Sequence, residues 1–138
     1  MDAISEASVS KAQPAARRGT ILVVEDEELM LRLLKRVLSQ QDFEVFTAAD
    51  GEEAIEIYRA HKQEIDVVLL DLGLPKISGV EVFFKMKEEN PNVRVVVASG
   101  FLEPEAKAEI ARAGVSHFFL KPYIFEELID ALRSMIER

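Results

Sequence analysis

Three acids, a hydroxyl and an amine stand out because each follows a short apolar run. Glu25-Asp26 follows Ile21-Leu22-Val23-Val24, Asp71 follows Val67-Val68-Leu69-Leu70, Ser99 follows Val93–Ala98, and Lys121 follows His117–Leu120. Three carboxylates gathered at one edge repel one another, which raises their pKa values unless a cation neutralises them. Hard oxygen ligands select magnesium or a similar ion, which keeps waters and pairs with phosphate oxygens. A carboxylate nucleophile beside such an ion and a lysine is a phosphoryl-transfer site. Each residue also has a plainer reading. Asp26 could cap the helix beginning Glu27-Glu28-Leu29, Asp71 could start a turn before Leu74-Pro75, Ser99-Gly100 could be ordinary loop, and Lys121 could snorkel at the surface. Four such coincidences in one chain are far less expected than one.

The elements that must position these residues alternate along the chain. The apolar, β-branched run Ile21–Val24 predicts a strand, and Leu29, Met30, Leu33, Leu34, Val37 and Leu38 at helical spacing predict a first helix. Val45–Ala48 is a second strand, and Asp50 caps a helix carrying Ala54, Ile55 and Tyr58. Val67–Leu70 is a third strand. Ser78-Gly79 opens a helix with Val80, Phe83 and Phe84 inward, ending at Asn90-Pro91. Val93–Ala98 is a fourth strand, and the helix after it starts at Pro104 and stops at Gly114. His117–Leu120 is a fifth strand, and Phe125, Leu128, Ile129, Leu132, Met135 and Ile136 stripe a last helix.

Five strands alternating with five helices predict a single α/β domain, a doubly wound parallel sheet covered on both faces. The most apolar strands, the first, third and fourth, belong at the centre. That is the flavodoxin-like (βα)5 order 2-1-3-4-5, in which chemistry sits at the carboxyl ends of the strands. The second strand, at the margin, contributes no polar residue to that edge. Residues 1–19, Ala/Ser-rich and without period, read as a flexible tail, and the domain runs over 20–138.

Composition narrows the remaining possibilities. A chain of 138 residues fits one domain, and 49% hydrophobic residues suffice for its core. The net charge of −8 argues against direct nucleic-acid binding, which needs Lys and Arg to neutralise phosphates. With no cysteine, a disulfide scaffold, a thiolate zinc site and a cysteine nucleophile are excluded. His61 and His117 are isolated, which disfavours a histidine metal site. No apolar run approaches the ~20 residues that span a bilayer, so no membrane insertion is expected. The N-terminus lacks the apolar core of a secretory signal, and a cytoplasmic location is the expectation.

The segments ILVVEDE, LLDLGLPKISG, Ser99-Gly100 and FLKPY, in this order and spacing over about residues 20–138, resemble the receiver domains of two-component response regulators. The resemblance implies that Asp71 is the phosphoacceptor, fed by a histidine kinase or phosphotransfer protein. It implies that Asp26 binds Mg2+ directly, that Glu25 does so directly or through water, and that the Gly73 carbonyl is a further ligand. Lys121 would pair with the phosphoryl oxygens, the Ser99 hydroxyl would turn toward them, and Lys121-Pro122 would be a cis peptide. Phe118 matches the family's switch aromatic, which follows Ser99; lacking a hydroxyl, its inward state is rewarded only by burial. The surface of the fourth helix, fifth strand and fifth helix would then change its preference for a downstream protein target, in a monomer or a phosphorylation-dependent dimer. Gly73 and Phe101 occupy the positions that influence water attack in this family, and neither holds a water, which implies slow self-dephosphorylation. The exposed part of the first helix and Tyr123-Ile124 would dock a histidine-bearing helical bundle.

Three other readings fit parts of the pattern. A dehalogenase-type aspartyl-phosphate hydrolase needs a second aspartate two residues after the nucleophile, where this chain has Gly73. A flavin-binding protein needs a phosphate loop after the first strand, where Glu25-Asp26-Glu27-Glu28 would repel phosphate. A receiver-like interaction module that no longer uses phosphorylation would have no need of the full set from Glu25 to Lys121.

Overall fold

The computed structural model describes residues 18–137. The elements run β1 (Gly19–Val24), α1 (Glu28–Gln40), β2 (Phe43–Ala48), α2 (Gly51–His61), β3 (Val67–Leu70), α3 (Gly79–Glu89), β4 (Val95–Ser99), α4 (Pro104–Arg112), β5 (His117–Leu120) and α5 (Phe125–Glu137). All strands pair in parallel, in the order β2-β1-β3-β4-β5, as the alternation and apolarity of the runs require. Residues 1–17 of the expected 1–19 tail lie outside the described residues. Gly19, expected in that tail, is instead the first residue of β1, where it pairs with Phe43. A glycine carries no strand signal of its own; the register with β2 recruits it.

Alternation along each strand splits the core into two layers. Leu22, Val24, Val68, Leu70, Val95 and Val97 face the side covered by α2, α3 and α4. Ile21, Val23, Val67, Leu69, Val96 and Ala98 face α1 and α5. Because both faces are buried, the central strands read as unbroken apolar runs rather than alternating ones.

The helices meet most expectations and correct three. Asp50 caps α2 by accepting from the Glu53 amide at 2.8 Å, Pro104 sits in the first turn of α4, and Gly114, at φ 115°, follows its last turn. Glu27, not Asp26, is the N-cap of α1, and Asp26 is left outside the helix. In α1, Leu34 and Leu38 are buried and Met30, Leu31 and Val37 half-buried, but Leu29 is 71% exposed and Leu33 is also exposed. These two, four residues apart, share a face turned away from the sheet, so the apolar stripe is wider than the buried one. In α3 the buried residues are Val82, Phe83 and Met86, with the expected Val80 and Phe84 flanking them half-buried.

Candidate functional site

The sheet register brings the acids together. Val24 and Leu70 are direct partners across β1 and β3, so the residues after them, Glu25 and Asp71, emerge side by side. The Asp71 amide donates to the Val24 carbonyl at 3.1 Å, and the Glu25 amide to the Ala48 carbonyl at 3.1 Å. On the other side, Ser99 ends β4 opposite Leu120 of β5, and the Lys121 amide donates to the Ser99 carbonyl at 2.8 Å. Ser99 is therefore the last strand residue rather than the first loop residue. The Lys121–Pro122 peptide is cis.

Glu25, Asp71 and Ser99 are the buried polar side chains among the described residues. Lys121 reaches between the two acids rather than snorkelling. Its Nζ donates to Glu25 Oε1 at 2.7 Å and to Asp71 Oδ2 at 3.0 Å. The other Asp71 oxygen, Oδ1, accepts from the Gly73 amide at 2.8 Å, so the turn expected after Asp71 exists and also aims the carboxylate. Glu25 Oε2 accepts from the Glu27 amide at 3.1 Å. Asp26, exposed, completes a carboxylate trio: one oxygen each from Glu25, Asp26 and Asp71 lie within 4.8 Å of one another.

Burial pushes the Glu25 carboxyl above its ordinary range, although Lys121 and the Glu27 amide oppose the rise. Burial alone would lower the Lys121 pKa, but its bonds and charge attraction to Glu25 and Asp71 outweigh that, and the ammonium is held above its ordinary range. A fixed cation thus partly neutralises two buried acids. The donor set is three hard carboxylate oxygens with a solvent-facing side at Asp26, which fits a small divalent cation such as Mg2+.

Two supporting features carry no sequence signal of their own. Gly79, the first residue of α3, packs against the backbone of the loop that begins at Asp71. A Cβ there would come within 2.7 Å of the Asp71 carbonyl oxygen and closer still to Leu72, and the Gly79 amide donates to the Leu72 carbonyl at 3.1 Å. Lys107 of α4 places its Nζ 5.2 Å from the ring centroid of the half-buried Phe118. Beside Asp71 a cleft of about 880 Å³ opens between α3 and α4. Phe101 borders it with its ring largely in solvent, 73% exposed.

Residues 21–133 match the response regulator receiver domain family. The probable transcriptional regulatory protein TcrX of Mycobacterium tuberculosis is 34% identical over 119 residues, which is 86% of this chain and 50% of TcrX. This chain thus spans about half the length of that relative. Sporulation initiation phosphotransferase F of Bacillus subtilis is 31% identical over 116 residues, 84% of this chain and 92% of the relative. Among solved structures, the CheX-CheY-BeF3-Mg complex from Borrelia burgdorferi superposes with a TM-score of 0.78 at 28% identity, covering 84% of this chain and 87% of the other. Sheet order, carboxylate trio and matched span agree, and the chain belongs to the receiver domain family of two-component response regulators, which signals by phosphorylation.

Proposed function

We propose that Asp71 is the phosphoacceptor of this receiver and that Glu25, Asp26, Asp71 and the Gly73 carbonyl hold Mg2+ beside it. The observation that carries this reading is the position of the Asp71 carboxylate. It is buried at the carboxyl edge of the sheet, within 4.8 Å of two further carboxylates and 3.0 Å from the Lys121 ammonium. In the transfer, an Asp71 oxygen forms a bond to phosphorus as the phosphorus–nitrogen bond of a phosphohistidine breaks, and the electron pair leaves with the imidazole. Bound Mg2+ supplies charge neutralisation for the carboxylates and the incoming phosphoryl oxygens. Lys121 then exchanges its carboxylate partners for those oxygens, and the Ser99 hydroxyl turns toward them.

The new charge, roughly −1.5 to −2, biases two states only through its differential contacts. Ser99 and Lys121 are the contacts that differ, and they draw on the loop after β4 and on Phe118 beside it. The α4-β5-α5 surface, read by a downstream protein, is the output. The donor is a histidine kinase or phosphotransfer protein docking on Leu29 and Leu33 of α1 and on Ile124, an exposed apolar set flanking the site. The receiver starts with Gly19 of β1, has slow self-dephosphorylation, and acts as a monomer or phosphorylation-dependent dimer. No helix among the described residues is long and apolar enough to cross a membrane.

Intact-mass measurement after treatment with acetyl phosphate and Mg2+ tests the proposal. One added phosphoryl group is expected, lost in Asp71→Asn and in the presence of a chelator. Undiminished labelling of Asp71→Asn would overturn it.

A further inference from the structure

Tyr123 lies two residues beyond Lys121, in the loop between β5 and α5. Its ring is fixed by neighbours, with centroids 6.3 Å from Phe119 and 5.8 Å from Phe125, and it packs against the α1/α5 core layer. Its hydroxyl is fully buried and has no hydrogen-bond partner. Arg133 Nε is the other such side-chain atom among the described residues. The chain's second tyrosine, Tyr58, differs: its hydroxyl accepts from Asn90 Nδ2 at 3.0 Å. Phenylalanine would fill the same aromatic contacts without stranding a polar atom, which costs free energy whenever a hydroxyl is buried unpaired. Buried orphan groups of this kind ask for an explanation.

The site next to it supplies one. Tyr123 lies within electrostatic reach of Lys121, Glu25 and Asp71, and burial raises its pKa to about 12, so the hydroxyl keeps its proton at neutral pH and is a donor. Glu25 Oε1 holds the shortest bond in the site, 2.7 Å from Lys121 Nζ. If Lys121 moves to phosphoryl oxygens, that buried carboxylate oxygen loses its donor, since a metal at the trio takes only one oxygen of Glu25. One orphan donor and one acceptor about to be orphaned then share the same buried end of the sheet.

We propose that Tyr123 is a positioning residue for the phosphorylated state, its hydroxyl donating to the Glu25 carboxylate oxygen that Lys121 vacates. The inference rests on the phosphoacceptor reading above. It gives the free and loaded states opposite preferences at one atom. The hydroxyl burdens the free protein and stabilises the loaded one, which shifts population toward loading only through that difference.

The test uses the full chain, Mg2+ and beryllofluoride as a phosphoryl stand-in. Tyr123→Phe should raise the melting temperature of the free protein by roughly 3 °C. The same variant should lose roughly tenfold in apparent beryllofluoride affinity, the worth of one charge-assisted hydrogen bond. In the wild type labelled at tyrosine Cζ, the Tyr123 carbon resonance should move downfield on adding Mg2+ and beryllofluoride, while Tyr58 stays. In a Glu25→Gln background, the Tyr123→Phe loss should shrink, because a neutral amide is the weaker acceptor. An affinity unchanged by Tyr123→Phe, a static Tyr123 resonance, or an undiminished loss in the Glu25→Gln background would each overturn the inference. Failure of the wild type itself to bind beryllofluoride, or equal binding by Asp71→Asn, would instead overturn the phosphoacceptor reading, so the two failures are distinguishable.

Discussion

Replacing Lys121 with methionine keeps the side-chain stem and deletes the charge, which isolates the electrostatics of the site. Lys121 is the cation that binds both Glu25 and Asp71, and the three side chains are 20%, 4% and 8% exposed. Removing one partner of a buried pair costs about 3–5 kcal/mol because the remaining charge is uncompensated. Lys121 retains some solvent, so the lower end, about 3 kcal/mol, is expected, and in urea that lowers the midpoint by roughly 1–3 M. The sign with pH follows from the shifts. Lys121 is held above its ordinary range, so its contribution is fully present below the lysine pKa of an unfolded chain and is lost as pH rises through the raised value. Glu25 is already raised by burial, and loss of Lys121 removes an opposing influence and raises it further. A raised carboxyl takes up protons in the folded state first, so folding recovers as pH falls through that raised range. The deficit of Lys121→Met should therefore be full at neutral pH and shrink in mild acid. It should also shrink when Mg2+ replaces the chelator, since a divalent cation can neutralise the same carboxylates. Urea titrations at several pH values, with chelator and with Mg2+, check this. A variant as stable as wild type in chelator, or a deficit unmoved by both acid and Mg2+, would refute the idea that these acids share one field.

Other outcomes follow from the same geometry. Gly79→Ala should destabilise the fold by roughly 1–3 kcal/mol, measured by thermal melting, because its Cβ overpacks against the acceptor loop, and should slow phosphorylation of Asp71 in proportion to the loop's displacement. The phosphorylated protein should decay slowly, and Gly73→Asn should hasten decay by about tenfold by bringing a polar side chain to the site, its Cβ in contact range of Asp71 Oδ1 at 3.5 Å. Phe101→Ala should hasten decay less, since that ring is mostly in solvent; decay in wild type as fast as in short-lived chemotaxis receivers would contradict both. Lys107→Ala should release about 0.5–1 kcal/mol of ring contact and shift the Phe118 rotamer population by up to roughly fivefold, read from aromatic NMR signals. Charged substitutions at Leu29 and Ile124 should slow transfer from the cognate kinase while leaving acetyl phosphate labelling intact.

Much of this protein was legible in the linear chain because its determinants are local or periodic. Strand runs buried on both sides, caps such as Asp50 and Ser78, and the stops at Asn90 and Gly114 fix the alternation of elements. Alternation with apolar runs fixes a parallel sheet, and a parallel sheet exposes its chemistry at the carboxyl ends. That is why Glu25, Asp26, Asp71, Ser99 and Lys121 could be picked out with no coordinates. Tertiary structure alone decided which of them touch. The bonds from Lys121 to Glu25 and Asp71 span 96 and 50 residues, and no local pattern encodes a register between strands so far apart. The same holds for Gly79 against the loop after Asp71, Lys107 over Phe118 and the stranded Tyr123 hydroxyl. It holds also for the two leucines of α1 that a helical period assigns to the core and the packing leaves in water. Periodicity says which residues can share a face; only the partner surface says how wide a face is covered.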